Sequence, residues 1–261
     1  MKLSELIAKF ERRVPLAWAE EWDNPGLAVG NPDVEIDRVA LALDVTEDTV
    51  KQADRADCQL LFSHHPIIFH PVKNLVFRFP GPKAIGTAIR SGVALYAAHT
   101  NWDSSPEGVN FCLAAALGLK NIEPLVMPSR ENGAWGLGAI GCLDTATPLS
   151  TLMRHAKERW RLSGCVGFGD ELAEIKRVAV GGGACGDFWP QALEKGADLF
   201  ITSDIVYHHR NDALNMGLSL IQCDHGEMER VSLPALKALL EYETGLECVI
   251  LSEESAPGIT I

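Results

Sequence analysis

Apolar positions return at helical spacing at the start of the chain. Leu3, Leu6, Ile7 and Phe10 fall on one face, which predicts an amphipathic helix that Pro15 helps to close. WDNPG, residues 22–26, reads as a turn. The pattern then changes to short apolar runs, each ending in polar groups: VALALD (39–44), CQLLFSHHP (58–66) and VALYAAHTNWD (93–103). Between them lie the polar, helix-like TEDTVKQADRAD, a Pro-rich loop over 66–83 and the helix-like AIGTAIRSG. Such runs predict buried strands alternating with helices, the βαβ pattern of a largely parallel sheet. EGVNFCLAAALG (107–118) predicts a further helix closed by Gly118.

The second half predicts a strand of small residues at 133–143 and a helix at 148–160. Strand-like runs resume with RVAVGGGACG (177–186), ADLFITSD (197–204) and LSLIQCDHGE (218–227). A helix ended by Gly245 and a last strand, LECVILSEE, complete the chain. The expected fold is α/β: two interlocked units with mostly parallel sheets flanked by helices. The first unit is expected at 1–125 plus 231–261 and the second at 126–230.

Composition narrows the function. A formal charge of −12 argues against a broad grip on nucleic acid phosphates, which needs a basic face, and favours capture of cations. The seven cysteines are odd in number and show no CxxC spacing, so they read as buried thiols of a reducing compartment. The charged N-terminal segment does not resemble a signal peptide. No stretch offers the roughly 20 unbroken apolar residues of a membrane span. A soluble cytoplasmic protein is expected.

The candidate chemistry lies where the runs end, since ligands of open α/β sheets gather beyond the carboxyl ends of the strands. One run delivers Ser63-His64-His65, the next His99 to Asp103, another Asp224-His225 with Glu229 four residues on. ADLFI delivers Thr202-Ser203-Asp204, with His208 beyond. Adjacent side chains of an extended segment point to opposite sides, so His64 and His65 meet one cluster only if the backbone bends, which Pro66 favours. Alone, HHP reads as a pair of surface loop histidines. His225 and Glu229 share a face if a helix begins there; alone, they read as a solvated helix start. Asp103 reads as a ligand or as a helix cap, a role Ser104 and Ser105 could fill instead. Asp44 ends a run too, though LDVT (43–46) reads equally as the cap of the next helix. Gly181, Gly183 and Gly186 match G-x-G-x-x-G, which reads as a dinucleotide loop or as a plain tight turn. No Walker motif is present. Together, three strand ends supply a mixed imidazole and carboxylate set suited to Zn, Mn, Fe or Ni rather than Ca.

The ordered set of segments resembles the NIF3-like dinuclear metal-centre family, also described as homologues of a type 2 form of GTP cyclohydrolase I. EEWDNPGLAVG, LALDVTEDTV, SHHP, AAHTNWD, VGGGAC, ADLFITSDIVYHH and HGEMER carry the resemblance over nearly the whole chain. It implies two divalent metal ions per chain, held by His64, His65, Asp103, His225 and Glu229. It also implies a short form without the inserted middle domain of longer members, and a hollow, toroidal homohexamer, a trimer of dimers. Two departures stand out: Asp224 replaces the usual Gly before the C-terminal His, and Thr202-Ser203 replaces a Thr-Gly pair. The implied activity is metal-assisted hydrolysis of a small molecule, with opening of a purine ring as the specific case and His99 and His208 as candidates for catalytic proton transfer. The alternative is a non-catalytic metal chaperone or store, or a metal-stabilised interaction scaffold.

Overall fold

The computed structural model describes residues 1–127 and 135–253. The first segment carries α1 (Leu3–Arg13), β1 (Gly26–Val29), β2 (Arg38–Ala42), α2 (Glu47–Arg55), β3 (Leu60–Ser63), α3 (Pro80–Ser91), β4 (Ala94–Ala97) and α4 (Thr100–Asp103). The middle carries α5 (Val109–Leu117), β5 (Lys120–Val126), β6 (Leu137–Pro148), α6 (Leu149–Trp160), β7 (Cys165–Phe168) and β8 (Glu174–Gly181). It continues with α7 (Trp189–Glu194), β9 (Leu199–Thr202), α8 (Tyr207–Asn215), β10 (Ser219–Cys223) and α9 (His225–Arg230). α10 (Leu233–Thr244) and β11 (Glu247–Ile250) follow.

Two compact units result, one from residues 1–102 with 233–253 and one from residues 103–232. The first boundary falls at Trp102/Asp103 and not at 125, because α5 packs on α6, β5, β6 and β8. Asp103 therefore belongs to the second unit. The start of the strand expected at 133–143, residues 133–134, and the tail 254–261 lie outside the described residues.

The first unit is a five-stranded sheet of order β1-β4-β3-β2-β11, parallel except for β1 on β4. Its central strands are buried on both faces, which is why they read as continuous apolar runs. Leu61 and Leu95 pack with Val50 and Ala53 of α2 and Ala84 and Ala88 of α3. On alternate positions Phe62 and Tyr96 meet Phe10 of α1 edge-on, at centroid distances of 4.9 and 6.0 Å. The apolar face foreseen for α1 is the one buried: Leu3, Leu6 and Phe10 are fully enclosed. Thr46 caps α2 by accepting from the Thr49 N–H at 3.0 Å.

The second unit is a six-stranded sheet of order β5-β6-β8-β9-β10-β7. Only β8, β9 and β10 run parallel; β5, β6 and β7 add antiparallel pairs, so this sheet is mixed. β1 and β7 have four residues each and are only partly buried, so their apolar period is too short to stand out in sequence. Phe200 and Leu220 pack with Ala192 of α7 and Ala213 of α8. Among the described residues, no helix is long and apolar enough to cross a membrane.

Candidate metal centre

Register explains how the first unit gathers its polar groups. Ala42, Ser63 and Ala97 are level across β2, β3 and β4, all parallel. The residues just past them, Asp44, His64, His65 and His99, are therefore delivered to one edge. The backbone bends after β3 as the sequence requires: the Ser63 hydroxyl donates back to the His65 carbonyl at 2.8 Å. The rings of His64 and His65 consequently sit side by side, 5.0 Å between centroids, with that of His99 at 5.2 and 5.5 Å. One ring nitrogen from each of the three lies within 4.8 Å of the others.

Each of these rings is held through Nδ1. That of His64 lies 2.9 Å from the Ala98 carbonyl oxygen, that of His65 2.8 Å from Asp44 Oδ1 and that of His99 2.8 Å from Asp23 Oδ1. An acceptor at Nδ1 fixes the proton there and leaves Nε2 as the basic nitrogen, the tautomer a metal ligand needs. Asp23 is itself tightly built in. Burial alone would raise its carboxyl, but hydrogen bonds from His99, from the Thr100 hydroxyl at 2.5 Å and from the Thr100 N–H at 3.0 Å bring it down to about 2.

The second unit repeats the device. Gly181, Thr202 and Gln222 are level across β8, β9 and β10, so Gly183, Asp204 and His225 emerge at one edge. Asp204 is left-handed, at φ 50°, and its carboxylate meets His225 Nδ1 at 2.6 Å. The i, i+4 spacing on α9 brings His225 Nε2 to 3.1 Å from Glu229 Oε1. Asp224 caps α9, accepting from the Glu227 N–H at 2.9 Å. A carboxylate oxygen of Asp103 lies within 4.8 Å of one of Glu229. Those two side chains belong to residues only 8% and 3% exposed, and two carboxyl groups so close and so buried are accommodated by a shared proton or by a cation between them.

Gly183 is the floor of this site. It adopts φ +70°, and a Cβ built there would stand 2.2 Å from Glu229 Oε1 and 3.3 Å from His225 Nε2. Of the two readings of the glycine-rich run, the tight turn is the one this contact explains: the backbone turns where only hydrogen leaves room for the carboxylate. The Ser203 hydroxyl pins the same turn by donating to the Gly183 carbonyl at 2.6 Å.

The donor sets, imidazoles with Nδ1 already engaged and buried carboxylates, fit divalent first-row ions. Of the residues singled out in sequence, His64, His65 and His99 meet within the first unit, and Asp103, His225 and Glu229 within the second. His208 does not join either set; it is exposed on α8 with its ring edge-on to Tyr207. Sequence alone does not mark Asp23 and Asp44 as supports. The LDVT segment does cap α2, through Thr46, while the Asp44 carboxylate meets His65; the signal for Asp44 is an acid just beyond a buried strand. Asp23 lay in a segment that reads simply as a turn.

A family model, Duf34/NIF3 (NGG1p interacting factor 3), matches residues 1–257. The chain belongs to the DUF34/NIF3 family. A Lactococcus lactis protein named GTP cyclohydrolase 1 type 2 homolog is 36% identical over 264 positions, spanning 98% of each chain. A Staphylococcus aureus relative of the same name is 26% identical over 358 positions while matching 98% of this 261-residue chain, so it carries sequence that this member lacks. Among solved NIF3-type structures, a Bacillus cereus protein related to NIF3 superposes with a TM-score of 0.94 at 24% identity, covering 100% of this chain and 99% of its own, a likeness of fold.

Proposed function

We propose that this DUF34/NIF3 member binds two divalent metal ions through His64, His65, Asp103, His225 and Glu229, and is a metal-dependent hydrolase of a nucleotide or purine ring. The observation that carries the proposal is the uniform use of Nδ1. His64, His65, His99 and His225 each engage a carbonyl or carboxylate through it, which makes Nε2 the basic nitrogen of each ring. His209, outside both donor sets, also meets a carboxylate through Nδ1, that of Asp187 at 2.9 Å, so the arrangement counts here because three of the rings converge. Bound ions would supply positive charge that polarises a substrate oxygen and lowers the pKa of water.

Within that reading the chain's own groups have distinct tasks. Asp44 and Asp204 orient His65 and His225. Asp23 holds the proton on His99 Nδ1, leaving its Nε2 to take a proton from a reacting group and return it. Trp22 and Phe69 lie edge-on to His99, at 6.2 and 6.1 Å between centroids, and would offer a flat apolar wall to a ring-shaped substrate. The names of relatives such as the Lactococcus lactis GTP cyclohydrolase 1 type 2 homolog favour GTP as the first substrate to try. A homohexameric assembly is part of the proposal, with the exposed Val72, Leu75, Val76, Phe77 and Phe79 as surface for copies to cover.

The test is elemental analysis of wild type, His64→Ala and Glu229→Ala, with ring opening of a nucleotide panel followed on the same samples. Two ions per chain, reduced in both variants, with turnover that follows the metal, is the expected result. Full metal without turnover would support a metal carrier or scaffold instead. A wild type that takes up no Zn, Mn, Fe or Ni would overturn the reading.

A further inference from the structure

Cys165 and Cys223 stand directly opposite each other on the antiparallel pair β7 and β10. Residues so paired have Cα atoms about 4.5–5.5 Å apart, inside the range that a disulfide bridges. Being paired in register, their side chains project from the same face of the sheet as immediate neighbours. Cys223 is buried, whereas Cys165 is half-buried, on the outermost strand of its sheet. Beside it is a cavity of about 530 Å³ lined by Ser150, Met153, Arg154, Lys157, Cys165 and Gly167. One sulfur is thus reachable by a small solute and the other is sheltered behind it.

We infer that Cys165 and Cys223 form a redox-active dithiol that closes to a cross-strand disulfide on reaction with a hydroperoxide. Cys165 sulfur attacks the peroxide oxygen: an S–O bond forms, the O–O bond breaks, and the departing oxygen takes up a proton. Cys165 is thereby oxidised to a sulfenic acid and the peroxide reduced. Cys223 sulfur then attacks Cys165 sulfur, the S–S bond forms, and the S–O bond breaks. Water leaves with the Cys223 proton.

The surroundings favour Cys165 as the attacking group. The adjoining Cys223 thiol and the nearby Lys157 outweigh burial and bring the Cys165 thiol down to about 7. Elsewhere burial pushes the Cys112 and Cys248 thiols up to about 11 and 12, and that of Cys58 up as well. The pair is also well placed to matter: Cys223 ends β10, and the next two residues are the α9 cap Asp224 and His225.

The experiment treats the full chain with hydrogen peroxide, alkylates the remaining thiols under denaturing conditions and maps the peptides by mass. The expected product is a Cys165–Cys223 linked peptide lighter by two hydrogens, with alkylatable thiols falling from seven to five and restored by dithiothreitol. Cys223→Ser should instead stop at a Cys165 sulfenic acid that a cyclic 1,3-diketone traps. Should that buried substitution unfold the chain, Cys165→Ser at the sheet edge must abolish the link. Oxidation of Cys112, Cys142 or Cys185 ahead of Cys165, or oxidation of Cys165 beyond sulfenic acid without the linked peptide, would overturn the inference.

Discussion

Asp204 Oδ2 lies 2.6 Å from His225 Nδ1, although 21 residues separate them in the chain. The contact exists because β9 and β10 are parallel neighbours whose carboxyl ends are level. Asp204 adds to it by taking a left-handed turn at φ 50°, a conformation that Asp tolerates better than most residues. Removing that carboxylate should release the ring without touching a proposed ligand. Asp204→Ala is expected to weaken metal binding by roughly 10–100-fold, the usual cost of losing such a support. A chelator-competition titration reads this, and His208→Ala, an exposed residue outside both donor sets, should leave the affinity unchanged.

Gly183→Ala is expected to destabilise the second unit and to displace Glu229. The new Cβ would meet Glu229 Oε1 at 2.2 Å from a backbone at φ +70°. Positive φ and overpacking each cost about 1–3 kcal/mol. Urea denaturation of the metal-free protein should show a lowered midpoint. An unchanged midpoint would mean that the carboxylate is not held where this geometry has it.

Asp23 should make stability depend on acid pH. Its folded-state pKa is about 2 against an ordinary value of 3.8, so the folded protein holds the proton less tightly than the unfolded chain. The contribution, about 2 kcal/mol, is present above pH 4 and lost as pH falls from 4 towards 2. Asp23→Asn should therefore be less stable than wild type at pH 6, and the gap should close in that acid window. Denaturation curves at pH 6, 4 and 3 decide this; a gap independent of pH would remove the carboxylate's charge from the explanation.

Metal removal should cost stability by mass action. A ligand at 100 times its dissociation constant contributes about 2.7 kcal/mol. Stripping the protein with a chelator should lower the thermal midpoint of wild type, and re-addition of Zn or Mn should restore it. Glu229→Ala should show a much smaller shift, which differential scanning calorimetry would detect.

The sequence by itself determined which residues sit at strand ends. Buried apolar runs marked β2, β3, β4, β8, β9 and β10, and the polar groups after them include every member of the two donor sets. The i, i+4 spacing of His225 and Glu229 was legible because a helix is local, and Ser63-His64-His65-Pro66 carried its own bend. Tertiary structure alone decided which carboxylate supports which ring. Asp44 with His65, Asp204 with His225 and Asp23 with His99 depend on strand order and register, β2 beside β3, β9 beside β10 and β1 beside β4. An apolar run states that a strand is buried but not which strand lies next to it. The partners of the histidines, and the opposition of Cys165 to Cys223, therefore emerge only when the sheets assemble.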